Sequence, residues 1–129
     1  MIVRADPNNE YRLSIIVDGH EIETILDTGF THPRCFVGLA LDESNFRAIR
    51  PGLREIRHAG FHVPGSLDLI EGESGLASVS IVGLDGSQVL TRVVNAGENI
   101  LGVCYFHQLV DFEVLWDLGR REMSIRRRG

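Results

Sequence analysis

The chain has 129 residues, a formal net charge of −5, and 43% apolar against 24% charged residues, a balance that suits one domain (1–129) with its own core. The acidic excess argues against nucleic acid or an anionic membrane as partner, and no apolar run nears the roughly 20 residues of a spanning helix. The opening M-I-V-R-A-D-P has no basic start followed by an apolar core, so a cytoplasmic protein is expected.

Arg12–Val17 and Glu21–Leu26 are two β-rich runs around Asp18-Gly19, a strong hairpin signal. The second run leads straight into Asp27-Thr28-Gly29-Phe30-Thr31-His32. Cys35 and Cys104 are too few for a disulfide framework and lack metal-ligand spacing, so both are expected as free thiols in a reducing compartment. Leu41–Ile49 reads as a helix with Asp42 or Ser44 near its start and Pro51-Gly52 as its break. Leu53–His58 reads as a further helical turn.

Phe61–Val63 and Leu67–Ile70 flank Pro64-Gly65-Ser66 as a hairpin, and Glu71–Gly75 reads as a polar loop. Ser78–Val82 and Gln88–Val94 form a second hairpin pattern around Asp85-Gly86. It leads to Asn99-Ile100-Leu101-Gly102, so strand, Asp-Gly turn, strand, apolar pair and Gly occur twice in the same order. Val103–Leu109 reads as a short helix, and Phe112–Trp116 with Glu122–Arg126 as a closing hairpin. The sum is a mostly β, small closed barrel-like fold with one to three short helices.

Chemistry concentrates at Asp27. A strand delivers the acid, and Gly29 lets backbone N–H groups approach its carboxylate. His58 and His62 are four apart, but Gly60 between them and Pro64 after them speak against a ligand-bearing helix, and no metal or other cofactor is expected. The arginines at 120–121 and 126–128 lack interleaved aromatics and read as a solvated edge strand, or as a strand in a dimer sheet. No nucleophile elbow, P-loop or dinucleotide fingerprint occurs.

With Leu26-Asp27-Thr28-Gly29, Thr31 and the later Asn99-Ile100-Leu101-Gly102, the chain resembles the retropepsin-like aspartic proteases, single-domain homodimeric relatives of pepsin. The resemblance implies the acid-protease fold and an aspartic endopeptidase acting on a peptide or protein substrate. Each subunit of a homodimer would supply one Asp27, since a twofold interface lets one motif furnish both halves of a site. It implies Thr28, Gly29, Thr31, Ile100, Leu101 and Gly102 as support for the active-site loop. It also implies a flap hairpin whose preferred tip is Pro64-Gly65-Ser66, with Glu71–Gly75 as second choice. Relative to viral members, the helical stretch near 41–58 reads as an insertion. Phe30 stands where they carry a small residue, narrowing a subsite or sealing the loop. These departures leave a second reading open: a dimerisation or peptide-binding module of the same fold with little or no catalysis.

Overall fold

The computed structural model describes residues 1–32, 34–61 and 70–129. Among these residues, ten strands and two short α-helices follow in the order β1 (Ile2–Arg4), β2 (Arg12–Val17), β3 (His20–Asp27), β4 (Val37–Leu41), α1 (Glu43–Ile49), β5 (Arg54–Phe61), β6 (Ile70–Ile81), β7 (Val89–Asn95), β8 (Ile100–Gly102), α2 (Val103–His107), β9 (Phe112–Asp117) and β10 (Glu122–Arg127). The large sheet runs β2-β3-β8-β4-β7-β6-β5, and a further β2–β6 pairing closes its first six strands into a barrel. Closure removes the free edges that an open sheet exposes.

Both Asp-Gly hairpins form. Asp18 and Gly19 take positive φ at the β2–β3 turn, as a tight hairpin requires. The alternation of β2 sends Leu13, Ile15 and Val17 inward. They meet Leu39, Leu41, Val79, Val93, Leu101 and Tyr105 in the main core. Tyr105 is fully buried; its hydroxyl donates to Ser87 O at 2.7 Å, and burial pushes the phenol well above its ordinary range.

A second apolar cluster, with Phe30, Val37, Ala40, Phe61, Val94 and Ile100, lies apart from the first. Val94 stands next to Val93 on β7. Neighbouring strand residues face opposite ways, so the sheet is apolar on both faces here. The alternation of a one-sided sheet is therefore absent in β4, where all five residues are buried.

Several expectations change. Leu53–His58 is not helical: Arg54–Phe61 is strand β5, paired with β6 from Arg54↔Leu76 to Phe61↔Ile70. Arg54–His58 are all exposed, which hides the strand from any reading based on alternation; β5 is the terminal strand of the large sheet. Glu71–Gly75 is not a loop but part of β6, where Gly72 and Gly75 serve close packing against Asn95 O and Leu53. Of the hairpin strands expected at 61–63 and 67–70, the described residues are Phe61 and Ile70, which pair as the ends of β5 and β6. Pro64, Gly65 and Ser66, with His62, lie outside the described residues. His58 stands on a strand, not a helix. The helix at 43–49 forms as expected, with Asp42 accepting from Asn45 N at 2.9 Å as its N-cap.

The small sheet runs β1-β10-β9. β10 is its central strand: Met123–Ile125 has a neighbour on each side, while Arg126 and Arg127 pair with β9 alone. Ile2, Ser124 and Leu115 form one cross-strand row on its outer face, with Ile2 and Leu115 exposed.

The two cysteines are not free. Cys35 and Cys104 form a disulfide across 69 positions. It ties the loop after Asp27 to helix α2, which an argument from cysteine number alone does not reach. Closing a loop of this length is worth roughly 2–4 kcal/mol. Cys35→Ser is therefore expected to lower the urea midpoint by that amount of free energy, and a reductant to do the same to the unmodified protein but not to the variant.

Candidate active site

Asp27 is the last residue of β3. That strand pairs in parallel with β8 in the register Ile25↔Ile100, Leu26↔Leu101 and Asp27↔Gly102. The two sequence repeats, I-L-D and I-L-G, thus lie side by side. Leu26 and Leu101 fall in the main core while Ile100 faces the second, which fixes the strand ends on both faces. Ile25 N donates to Asn99 O at 3.0 Å, locking the start of the pairing.

Beyond β3 the chain turns. Gly29 N donates to Asp27 Oδ1 at 2.8 Å and Phe30 N to Asp27 O at 3.2 Å. The carboxylate is half-buried and held by a backbone donor, with its other oxygen free of hydrogen bonds among the described residues. Thr28 is exposed, and among the described residues its hydroxyl makes no hydrogen bond. Thr31 is half-buried, its hydroxyl 3.6 Å from Cys104 Sγ. The structure thus brings Asp27, Thr28, Gly29, Thr31, Ile100, Leu101 and Gly102 to one loop and the strand beside it.

Phe30 resolves the choice between narrowing a subsite and sealing the loop. It is fully buried, its ring 5.6 Å from that of Phe61, in the second core. Gly102 is the other half of that fit. A Cβ there would run into the Phe30 ring and stand 2.8 Å from Phe30 O. Glycine at the end of I-L-G is therefore required by the ring that anchors the Asp27 loop.

A second network was not singled out by sequence. Asn99 Oδ1 accepts from Asp42 N at 2.9 Å and from Asn45 Nδ2 at 3.3 Å, while Asn99 Nδ2 donates to Asp42 Oδ2 at 3.1 Å. One side chain joins the N-cap of α1 to the residue preceding β8. Asn before an apolar strand carries no such signal, because its partner is 57 positions away.

A cavity of about 280 Å³ opens beside Asp27, bounded by Glu10, Arg12, Glu23, Asp42 and Glu98 among others. Arg12 gathers the carboxylates on its side, at 2.9 Å from Asp6, 3.3 Å from Glu10 and 2.9 Å from Glu23. These pairs are exposed and each contributes little. The hydrogen bond from Arg12, then that from Glu10 N, holds the Asp6 carboxyl below its ordinary value of 3.8. Its ionised form is thus the one the fold favours. That contribution is complete above the ordinary value and is lost only as pH falls through the lower, folded one, so the cluster survives mildly acidic conditions.

Among solved structures, the fold is similar to a retropepsin-like aspartic protease from Rickettsia conorii, with a TM-score of 0.62 and 12% identity over 97% of this chain and 87% of that one. It is also similar to EIAV protease complexed with an inhibitor, with a TM-score of 0.55 and 18% identity over 81% of this chain and 91% of that one. The chain has the retropepsin-like fold. At these identities the likeness is one of fold. The sequence matches no protein-family model and no curated protein.

Proposed function

We propose that the chain is an aspartic endopeptidase, active as a homodimer in which each subunit contributes Asp27. One observation carries this reading. A single carboxylate, oriented by Gly29 N–H, stands at the head of paired I-L-D and I-L-G strands. The proteases that share this fold supply the analogy for its use.

Hydrolysis by a carboxylate pair needs two acids, and the chain has one Asp-Thr-Gly. A twofold axis beside the Asp27 loop supplies the second from the partner. Two carboxylates brought within about 3 Å share one proton, as the aspartic proteases exemplify. The ionised member takes a proton from a water, which attacks the peptide carbonyl. The protonated member donates to the carbonyl oxygen as charge develops there. The Thr28 hydroxyl, exposed beside Asp27, would then hydrogen-bond across the axis and fix the two loops against each other. The burial of Phe30 removes one motive for reading the chain as a binding module only, since the ring occupies the core.

The test is cleavage of a mixed peptide library at pH about 4 to 7, the range in which such pairs work. The expected result is cleavage that a statine-type transition-state mimic blocks and whose specific activity falls as dilution drives the dimer apart. Full specific activity in a demonstrated monomer would overturn the shared pair.

No helix among the described residues is long and apolar enough to cross a membrane. The compartment we propose is the cytoplasm, where glutathione and thioredoxin would act to reduce the Cys35–Cys104 disulfide that the fold forms. Thiol trapping at cell lysis tests this directly: a fully oxidised pair would contradict a reducing compartment.

A further inference from the structure

Arg92 is the most deeply buried charge among the described residues, at 3% exposure. It lies on β7 between Val37 of β4 and Leu76 of β6. No described carboxylate stands within ion-pair distance of it. Its Nη1 donates to Glu55 O at 2.9 Å and to Ser74 Oγ at 3.1 Å. Among the described residues its Nε and Nη2 make no hydrogen bond. Arg92 also lines an open space beside β5 and β7. A buried guanidinium stays charged, and leaving such a charge without a counter-ion is costly. Burial and then the neighbouring Arg57 push its pKa down from the ordinary value, against a smaller opposing effect of Glu55.

The open space is a groove. Two adjoining cavities of about 410 and 420 Å³ share Arg34, Phe36, Arg57 and Arg92 in their walls. Neither Arg34 nor Arg57 forms an ion pair among the described residues, and among those residues Glu55 is the one acid lining the groove, so three arginines face one carboxylate there. The backbone is strained at the same place. Glu55 has φ of +49°, uncommon for a residue other than glycine, at a register shift in β5 between Arg54 and Arg57. That bulge presents the Glu55 carbonyl to Arg92 Nη1 and leaves the opposite edge of the guanidinium unused.

We propose that this groove holds the carboxylate of an acidic side chain of the peptide substrate, with Arg92 as its buried anchor and Arg57 and Arg34 at its mouth. Nε and Nη2 donate in parallel from one edge of a guanidinium, and the two oxygens of a carboxylate match that edge. The location fits a substrate subsite. His32 and Arg34 in its wall belong to the loop that begins at Asp27, and Arg57 belongs to the strand leading to residues 62–69. The assignment rests on the endopeptidase reading for its occupant.

The experiment is a Glu-versus-Gln scan along a peptide that the homodimer cleaves, together with binding of the same peptides to the Asp27→Asn protein. At one position Glu is expected to exceed Gln about tenfold in kcat/KM and in affinity, as a charge-assisted bidentate pair would give. Arg57→Gln, an exposed strand position, should cut that Glu-to-Gln ratio several-fold. Arg92→Gln should abolish it, and the Arg57 variant keeps the test valid if the Arg92 variant does not fold. A ratio of one at every position in an active enzyme overturns the proposal. So does saturation of the groove by inorganic phosphate with no preference for any Glu peptide, which would mark a site for free anions. Glu-peptide binding that depends on Arg57 in a protein that cleaves nothing would support the groove and sink the endopeptidase reading instead.

Discussion

Asp27→Asn is expected to abolish peptide cleavage, lowering kcat/KM by about 10³- to 10⁴-fold, while leaving the fold intact. The two halves of that expectation have separate causes. The rate falls because an amide can neither take a proton from water nor hand one to the carbonyl oxygen, and positioned acid–base groups contribute up to about 10⁴-fold. In a homodimer one substitution removes both members of the pair. The fold persists because the side chain is half-buried and its one hydrogen bond within the loop is accepted from Gly29 N. The Asn side-chain oxygen can accept the same bond. Circular dichroism and the urea midpoint should therefore match the unmodified protein. Cleavage undiminished in a folded Asp27→Asn variant would dismiss the carboxylate as the reacting group.

The second large effect is one of stability. Phe30→Ala is expected to cost about 3–5 kcal/mol, the range for deleting a buried aromatic ring. Against the 5–15 kcal/mol that holds a typical domain together, this is a substantial fraction. The ring has no exposure and meets Phe61 at 5.6 Å. Its loss opens a cavity under the loop that carries Asp27. Gly102→Ala should cost about 1–3 kcal/mol by overpacking, because its Cβ would collide with that ring. The two changes should not be additive. In the Phe30→Ala background the ring clash is gone, and only the approach to Phe30 O at 2.8 Å remains, so Gly102→Ala should cost less there. A coupling of at least about 0.5 kcal/mol from urea midpoints at constant slope supports the contact. Strict additivity would mean that Gly102 is kept for some other reason.

The two Asp-Gly hairpins, the helix after Asp42 and the closing hairpin near the C-terminus all declare themselves locally. Their signals are turn residues, alternation and a capping side chain within a few positions of each other. The loop at Asp27 and the later I-L-G are legible for the same reason. β5 is not, because its first five residues are all exposed and burial begins only toward Phe61 at its end. Glu71–Gly75 misleads in the opposite direction. Its glycines look like a loop, yet they sit in β6 where Asn95 O and Leu53 come too close for side chains.

What the sequence determines by itself is therefore the inventory: a mostly β chain, the places where it turns, and one acid at the end of an apolar strand. What only the tertiary structure decides is which distant pieces meet. β3 beside β8, Cys35 bonded to Cys104, Asn99 bound to Asp42, Phe30 filling the space that Gly102 leaves, and Arg92 buried against Glu55 O and Ser74 Oγ all join residues far apart in the chain. Local propensity is set by neighbours within a turn or a strand. Contacts of this kind are set by barrel closure, which chooses partners by shape and burial across the whole molecule and leaves no mark on the residues nearby in sequence.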